Sequence, residues 1–285
     1  MSSSTAPSIQ RIPYSAPRED FIRAIERDGC VIIQDFTTPE VLAQAQKEVQ
    51  PYLDVNEEMS TVGALNGGTR TCTRLIGRSK TVREKFSSRI RISDQDLAEH
   101  FLALTTTNYY DTTPPPTPRT RSSPSPITMG IRPGAAAQRL HRDDKNHHAR
   151  HTPTKSYHYE PRRDMLFVPG CDTTREIGAT RVEPDFGPDG YKGVMDAEMK
   201  AGEAFVMLGS VYHGGGRYEK ESGSRTVHIM LMCSGVYRQE EIPWLSYPIE
   251  EVKTYSKLTQ QRLGWKQSEP NLGWVDLKSP EFMLE

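Results

Sequence analysis

Several features common in chains of this length are missing. No apolar run among the 285 residues approaches the ~20 needed for a helix to cross a bilayer. Residues 1–8 are polar and serine-rich, without the charged and apolar stretches of a secretory signal. Charge of one sign is missing too: 36 Lys and Arg stand against 37 Asp and Glu. That balance excludes the electrostatic footprint of a nucleic-acid binder or a polybasic membrane anchor, and points to a small, uncharged partner. Only four cysteines occur, Cys30, Cys72, Cys171 and Cys233, with no Cys-x-x-Cys pair. A cysteine-based zinc site is therefore excluded and a disulfide framework has little support, so a reducing compartment, the cytoplasm, is expected. No internal repeat and no linker divides the chain, so we expect one domain over residues 1–285, with a frayed start over residues 1–10.

What is present begins with ordinary packing elements. Ser15, with Pro17 just inside, opens a helix whose Phe21, Ile22 and Ile25 share a stripe, and Gly29 stops it. Cys30 to Gln34 reads as a short buried strand. Thr38 before Pro39 starts a second helix carrying Val41, Leu42, Ala45, Val49 and Leu53, with Pro51 setting its end nearby. Asn66-Gly67-Gly68 is a tight turn in a polar segment edging a pocket. Thr71 to Leu75 follows as a strand, and Asp94 to Leu104 as a third helix. Six prolines between Asp111 and Pro126 forbid a helix or central strand and leave an extended loop. Strand character resumes over Thr128 to Arg132, Asp164 to Val168 and Gly202 to Leu208, with a turn at Gly178-Ala179-Thr180 feeding another strand.

Chemistry concentrates in two places. In Gln138-Arg139-Leu140-His141-Arg142-Asp143-Asp144, strand alternation puts His141 and Asp143 on one face, an imidazole beside a carboxylate, with Arg142 turned away. That is half a metal site. A second histidine at Tyr212-His213-Gly214-Gly215-Gly216 completes two nitrogens and one oxygen, the facial set that non-haem Fe(II) oxygenases use because it leaves positions open. Twelve residues further on, Arg225 alternates in phase with Val227, Ile229 and Leu231. A guanidinium on an apolar face needs an anion, and its fork suits a carboxylate, whether a ligand's or a structural Asp or Glu. His228 points the other way and is read as structural. Two competing readings fail on missing residues. His147 and His151 lack the Glu that a helical zinc protease needs after its first His. The glycine run after His213 resembles an esterase oxyanion hole, but no Gly-x-Ser-x-Gly elbow occurs.

With His141, Asp143, His213 and Arg225 in place, the chain resembles the Fe(II)/2-oxoglutarate-dependent dioxygenases. Its likeness is to the phytanoyl-CoA hydroxylase-like branch that includes fungal enzymes oxidising meroterpenoids and alkaloids. The resemblance runs from about Glu26 to Leu277. It rests on the Gln138-to-Asp144 motif, the Gly178-Ala179-Thr180 turn, the His213 glycine segment, and Leu263-Gly264-Trp265 with Pro270-Asn271. It implies a mainly β protein, a double-stranded β-helix or jelly roll with packed outer helices, mostly N-terminal. It also implies Fe(II) held by His141, Asp143 and His213, with 2-oxoglutarate and O2 as cosubstrates. Arg225 then matches the residue gripping the cosubstrate's far carboxylate, and Gln138 and Thr180 match residues that assist it. The retained Asp143 disfavours halogenation, because related halogenases replace this carboxylate. The chain departs from its relatives at Glu176-Ile177-Gly178 and Pro184-Asp185-Phe186-Gly187, so the pocket rim is its own.

The resemblance points to C–H oxidation of a hydrophobic polycyclic natural product such as a meroterpenoid. An acyl-CoA or small-metabolite hydroxylase, or a non-catalytic partner subunit of the same fold, is the alternative. Trp244, Tyr247, Tyr255, Trp265 and Trp274 supply enough late aromatic surface to lid a site or join two subunits, so a homodimer is expected.

Overall fold

The structure, a computed structural model, describes residues 8–55, 68–92, 95–104, 123–148, 163–183, 193–268 and 271–285. Its strands, in chain order, are β1 (Arg11–Pro13), β2 (Cys30–Gln34), β3 (Thr69–Cys72), β4 (Arg91–Ile92), β5 (Gln95–Asp96), β6 (Ser123–Ile131), β7 (Arg163–Pro169), β8 (Thr180–Glu183), β9 (Met195–Ala197), β10 (Ala204–Leu208), β11 (Tyr212–Gly215) and β12 (Arg225–Cys233). Seven of them form one sheet in the order β1-β2-β10-β7-β12-β6-β3, and β11-β8-β9 form a second. Residues Gln138 to His141 extend the second sheet, since His141 and His213 exchange backbone hydrogen bonds and Gln138 N donates to Gly215 O. One apolar core joins the sheets: Val182 and Ala197 come from the smaller, Ile33, Phe205, Val227 and Ile229 from the larger. Two sheets around a shared core, with helices outside, make the jelly roll that the resemblance implied.

The helices cover the outer face of the large sheet. Helix α1 (Arg18–Asp28) buries Phe21, Ile22 and Ile25 and ends at Gly29, whose φ of 76° is the left-handed conformation that glycine adopts without strain. Its N-cap is Pro17, not Ser15. Helix α2 (Pro39–Asp54) starts as expected, Thr38 accepting from Val41 N at 3.4 Å, and buries Leu42, Ala45, Val49 and Leu53. Leu53 reaches Gly130 of β6, where a Cβ would stand 3.6 Å from its methyl. Helix α2 ends at Asp54, one turn after Pro51, as the proline's position predicts. In the last turn a proline forfeits one hydrogen bond, and the burial of Leu53, about 2 kcal/mol, compensates.

The prolines further on behave differently. The expected loop over 111–126 lies partly outside the described residues, but β6 already begins at Ser123 and pairs Pro124 and Pro126 with Met232 and Met230. Backbone N–H groups alternate in direction along a strand, and that of Arg132, an even step away, donates towards β3 at Gly68. The missing N–H groups of Pro124 and Pro126 therefore face the side where β3 has already ended, at Cys72 opposite Thr128. Smaller shifts occur elsewhere. The third helix spans only Leu97–Leu102, and Leu75 opens a short helix in place of ending a strand. Residues 1–7 of the expected frayed start lie outside the described residues, whereas Ile9 is buried and the Gln10 carbonyl accepts from Ile32 N.

Near the C-terminus a second apolar cluster gathers Ile76, Tyr247, Val252, Tyr255, Leu263 and Trp265. Three of the five late aromatics are thus core residues; only Trp244 and Trp274 stay about half exposed. Among the described residues no helix is long and apolar enough to cross a membrane.

Candidate metal centre

The smaller sheet delivers the two histidines. His141 and His213 sit opposite one another across an antiparallel bridge, their rings 4.7 Å apart. Asp143 is not in a strand, as alternation had suggested. It lies in a bend, its N–H bonded to Gly209 O at 3.0 Å, and a short 3-10 helix, Asp144–His147, follows. The bend still turns its carboxylate to the imidazoles: Oδ1 is 3.5 Å from His141 Nε2, and Oδ2 is 3.5 Å from His213 Nε2. Ligand atoms of the three residues lie within 4.8 Å of one another.

The histidines are also held in the tautomer a metal requires. His141 Nδ1 is 2.8 Å from Arg139 O and His213 Nδ1 is 3.0 Å from Val211 O. A backbone carbonyl only accepts, so each Nδ1 carries the proton and each Nε2 presents a lone pair towards Asp143. Metal-binding histidines are oriented in this way. Two neutral imidazoles and a carboxylate fit a borderline divalent ion, and separations of 3.5 Å are near the ~3 Å expected of adjacent ligands with bonds of about 2.1 Å.

Close backbone packing explains the glycines. A Cβ on Gly216 would stand 2.6 Å from Ala179 O, and one on Gly214 3.0 Å from Arg139 O. The run after His213 is thus a seam pressed between the 138–141 segment and the Gly178 turn, not an oxyanion hole. Gln138 and Thr180 meet at this seam. Gln138 Oε1 accepts from Gly215 N at 2.7 Å, and Thr180 is the register partner of Gly215. Thr180 is buried, with no hydrogen bond to its hydroxyl among the described residues. Arg181, which the sequence reading passed over, donates from Nη2 to the Gln138 carbonyl and fixes that segment. Its position directly after the Gly-Ala-Thr turn was the available signal.

Arg225 begins β12 on the face opposite His228. His228 bonds Thr128 Oγ1 through Nδ1 at 2.8 Å and packs its ring 5.6 Å from Phe86 of the helical layer. Arg225 therefore faces between the sheets. It is 5% exposed, and its Nε and Nη1 are buried with no hydrogen-bond partner among the described residues. Burial pulls the guanidinium down to about 10, with Cys171 beside it acting the other way, so it keeps its charge at neutral pH. His147 is not part of the cluster. It bonds Arg238 O at 3.1 Å and stacks near Tyr237, while His151 lies outside the described residues.

Two imidazole nitrogens and one carboxylate on one side of a jelly roll define a non-haem Fe(II) oxygenase. The family model for phytanoyl-CoA dioxygenase matches residues 25–227. Dioxygenase himG of Aspergillus japonicus is 31% identical over 284 residues, covering 92% of this chain and 85% of that protein. Dioxygenase peniF of Penicillium patulum is 30% identical over 279 residues, covering 93% and 88%. The crystal structure of the epimerase SnoN with Fe3+, alpha-ketoglutarate and nogalamycin RO superposes with a TM-score of 0.54 at 12% identity, over 80% of this chain and 88% of that one. The chain belongs to the phytanoyl-CoA dioxygenase family. It is an enzyme, a non-haem dioxygenase using Fe(II), 2-oxoglutarate and O2.

Proposed function

We propose that His141, Asp143 and His213 hold the iron, that Arg225 takes the far carboxylate of 2-oxoglutarate, and that Gln138 and Thr180 assist it from the Gly215 seam. The observation that carries this reading is a pair. Two histidine Nε2 atoms are fixed towards one carboxylate, and a buried guanidinium has Nε and Nη1 without partners. Iron supplies the activation of O2; the chain's own residues orient the ligands, anchor the cosubstrate and keep water out. In a hydroxylation one oxygen atom of O2 enters the substrate C–H bond and the other enters succinate, with CO2 released from 2-oxoglutarate.

For the substrate we favour a hydrophobic polycyclic natural product, such as a meroterpenoid. Support comes from a cavity of about 340 Å³ lined by Tyr237, Ile242, Trp244 and Leu272 and also by polar groups that include Arg238 and Glu241. It adjoins the segment after Asp143, because Asn146 bonds Glu240 and His147 bonds Arg238. A larger groove of about 720 Å³ along β1 and α1 likewise contains no residue of the metal cluster, and no bond of the segment after Asp143 reaches it. We read the chain as one catalytic domain, in the cytoplasm in keeping with four unpaired cysteines, and as a homodimer joined through exposed Trp244, Leu245, Trp274 and Leu277. Light scattering at micromolar concentration tests the dimer, and a monomer would remove it.

The enzymatic reading is tested by loading the protein with Fe(II) and 2-oxoglutarate in air and offering a panel of terpenoid and acyl-CoA candidates. A substrate should raise succinate release and gain or lose mass in step with it. Stimulation by acyl-CoA compounds alone would replace the substrate class. If neither 2-oxoglutarate binding nor succinate release depends on iron, the assignment of the site fails.

A further inference from the structure

The wall beside Arg225 contains a residue that no sequence motif marks. Strands β7 and β12 pair antiparallel with Pro169 opposite Val227, and the pairing continues past the end of β7, where Gly170 N donates to Thr226 O at 2.6 Å. One more step sets Cys171 opposite Arg225. Its Sγ accordingly lies 4.0 Å from Ser224 O. Directly opposed residues of an antiparallel pair project to the same face, with Cβ atoms about 5 Å apart. Thiol and guanidinium thus share one pocket.

We propose that Cys171 forms part of the carboxylate pocket, its side chain lying against the far carboxylate of a bound dicarboxylate, so that modification of the thiol and binding of the cosubstrate exclude one another. This rests on Arg225 being the anchor. The second observation is the guanidinium itself, nine-tenths buried, with Nε and Nη1 left for an anion. Burial holds the Cys171 thiol above its usual range, against a backbone hydrogen bond at Thr226 and the pull of Arg225. It is also the accessible thiol of the four: Cys30, Cys72 and Cys233 are buried and Cys171 is not fully so.

The test is labelling of Cys171 with iodoacetamide, followed by peptide mass spectrometry, on the anaerobic Fe(II)-loaded protein. Calorimetry of 2-oxoglutarate binding runs in parallel. Saturating 2-oxoglutarate should slow labelling at least about tenfold, while 2-oxobutanoate, which lacks the far carboxylate, should not. The carbamidomethylated protein should keep its iron but lose at least about tenfold in affinity for 2-oxoglutarate. If calorimetry shows 2-oxoglutarate bound while Cys171 labels at an unchanged rate, or if Cys171 fails to label in the ligand-free protein, the proposal is overturned and Arg225 as anchor stands. If 2-oxoglutarate does not bind at all, the reading of the site fails, and this inference with it.

Discussion

Strand β12 carries two buried basic side chains three residues apart, and they have opposite fates. His228 lies under the helices with Nδ1 on Thr128, its ring near Phe86 and Nε2 buried without a partner among the described residues, which a neutral imidazole can tolerate as a charged group cannot. Burial lowers its pKa to about 4, so at neutral pH it is uncharged and belongs to the core. Arg225 faces between the sheets, cannot shed its charge at neutral pH, and has two buried nitrogens without partners. A basic group that can neutralise itself settles into a fold; one that cannot needs an anion, and where the described residues supply none it points to a ligand. The difference separates structure from function on the same strand.

The comparison can be broken at several points, beginning at the metal. His213→Ala removes one of three donor atoms, and we expect iron-dependent succinate release to fall by at least about a thousandfold, some 4 kcal/mol in barrier terms, with the circular dichroism spectrum unchanged. Turnover above a tenth of the wild-type rate would exclude His213 as a ligand. On the structural side, His228→Ala opens a cavity under Phe86 and orphans Thr128, at an expected cost of about 2–4 kcal/mol in urea unfolding. Affinity for 2-oxoglutarate should not move; if it drops with stability unchanged, the two faces have been assigned the wrong way round.

Proton linkage sharpens the same contrast. Folding lowers the pKa of His228 from 6.5 to about 4, chiefly through burial, with Glu48 opposing. The folded state thus binds fewer protons than the unfolded state between those values. Stability from this group is fully present above pH 6.5 and is lost as pH falls towards 4, by about 3 kcal/mol. Urea midpoints measured across that window should decline in the wild type, and the decline should be visibly shallower in His228→Gln. Parallel curves would show that His228 does not titrate as proposed. The smallest effect belongs to Arg225→Leu. Removing an uncompensated buried charge should leave the thermal stability of the ligand-free protein the same, or raise it by about 1–2 kcal/mol. A large destabilisation would mean that Arg225 holds the fold together.

Much of this was legible in the sequence, and the reasons differ by residue. The register of β12 could be read because Arg225, Val227 and Ile229 alternate without interruption. His141 and Asp143 could be paired because two residues of separation bring their side chains together even though the strand ends between them and Asp143 sits in a bend. Pro51 was legible as a nearby helix end, but Pro124 and Pro126 misled, since they fall where β6 has no strand beside it among the described residues, which depends on where β3 stops. The glycines after His213 were legible as a motif but not as a seam, since what they avoid is the backbone of segments 37 and 75 residues away. Cys171 was invisible, because its place opposite Arg225 exists only once β7 and β12 are paired.

The central claim is that Nε and Nη1 of Arg225 have no partner among the described residues because their partner is the cosubstrate. Calorimetry of 2-oxoglutarate binding to the anaerobic Fe(II)-loaded protein, wild type against Arg225→Leu, tests it most directly. We expect the variant to bind at least about a hundredfold more weakly, a loss near 3 kcal/mol, while 2-oxobutanoate binds both proteins alike. Equal affinity of wild type and variant for 2-oxoglutarate would contradict the account.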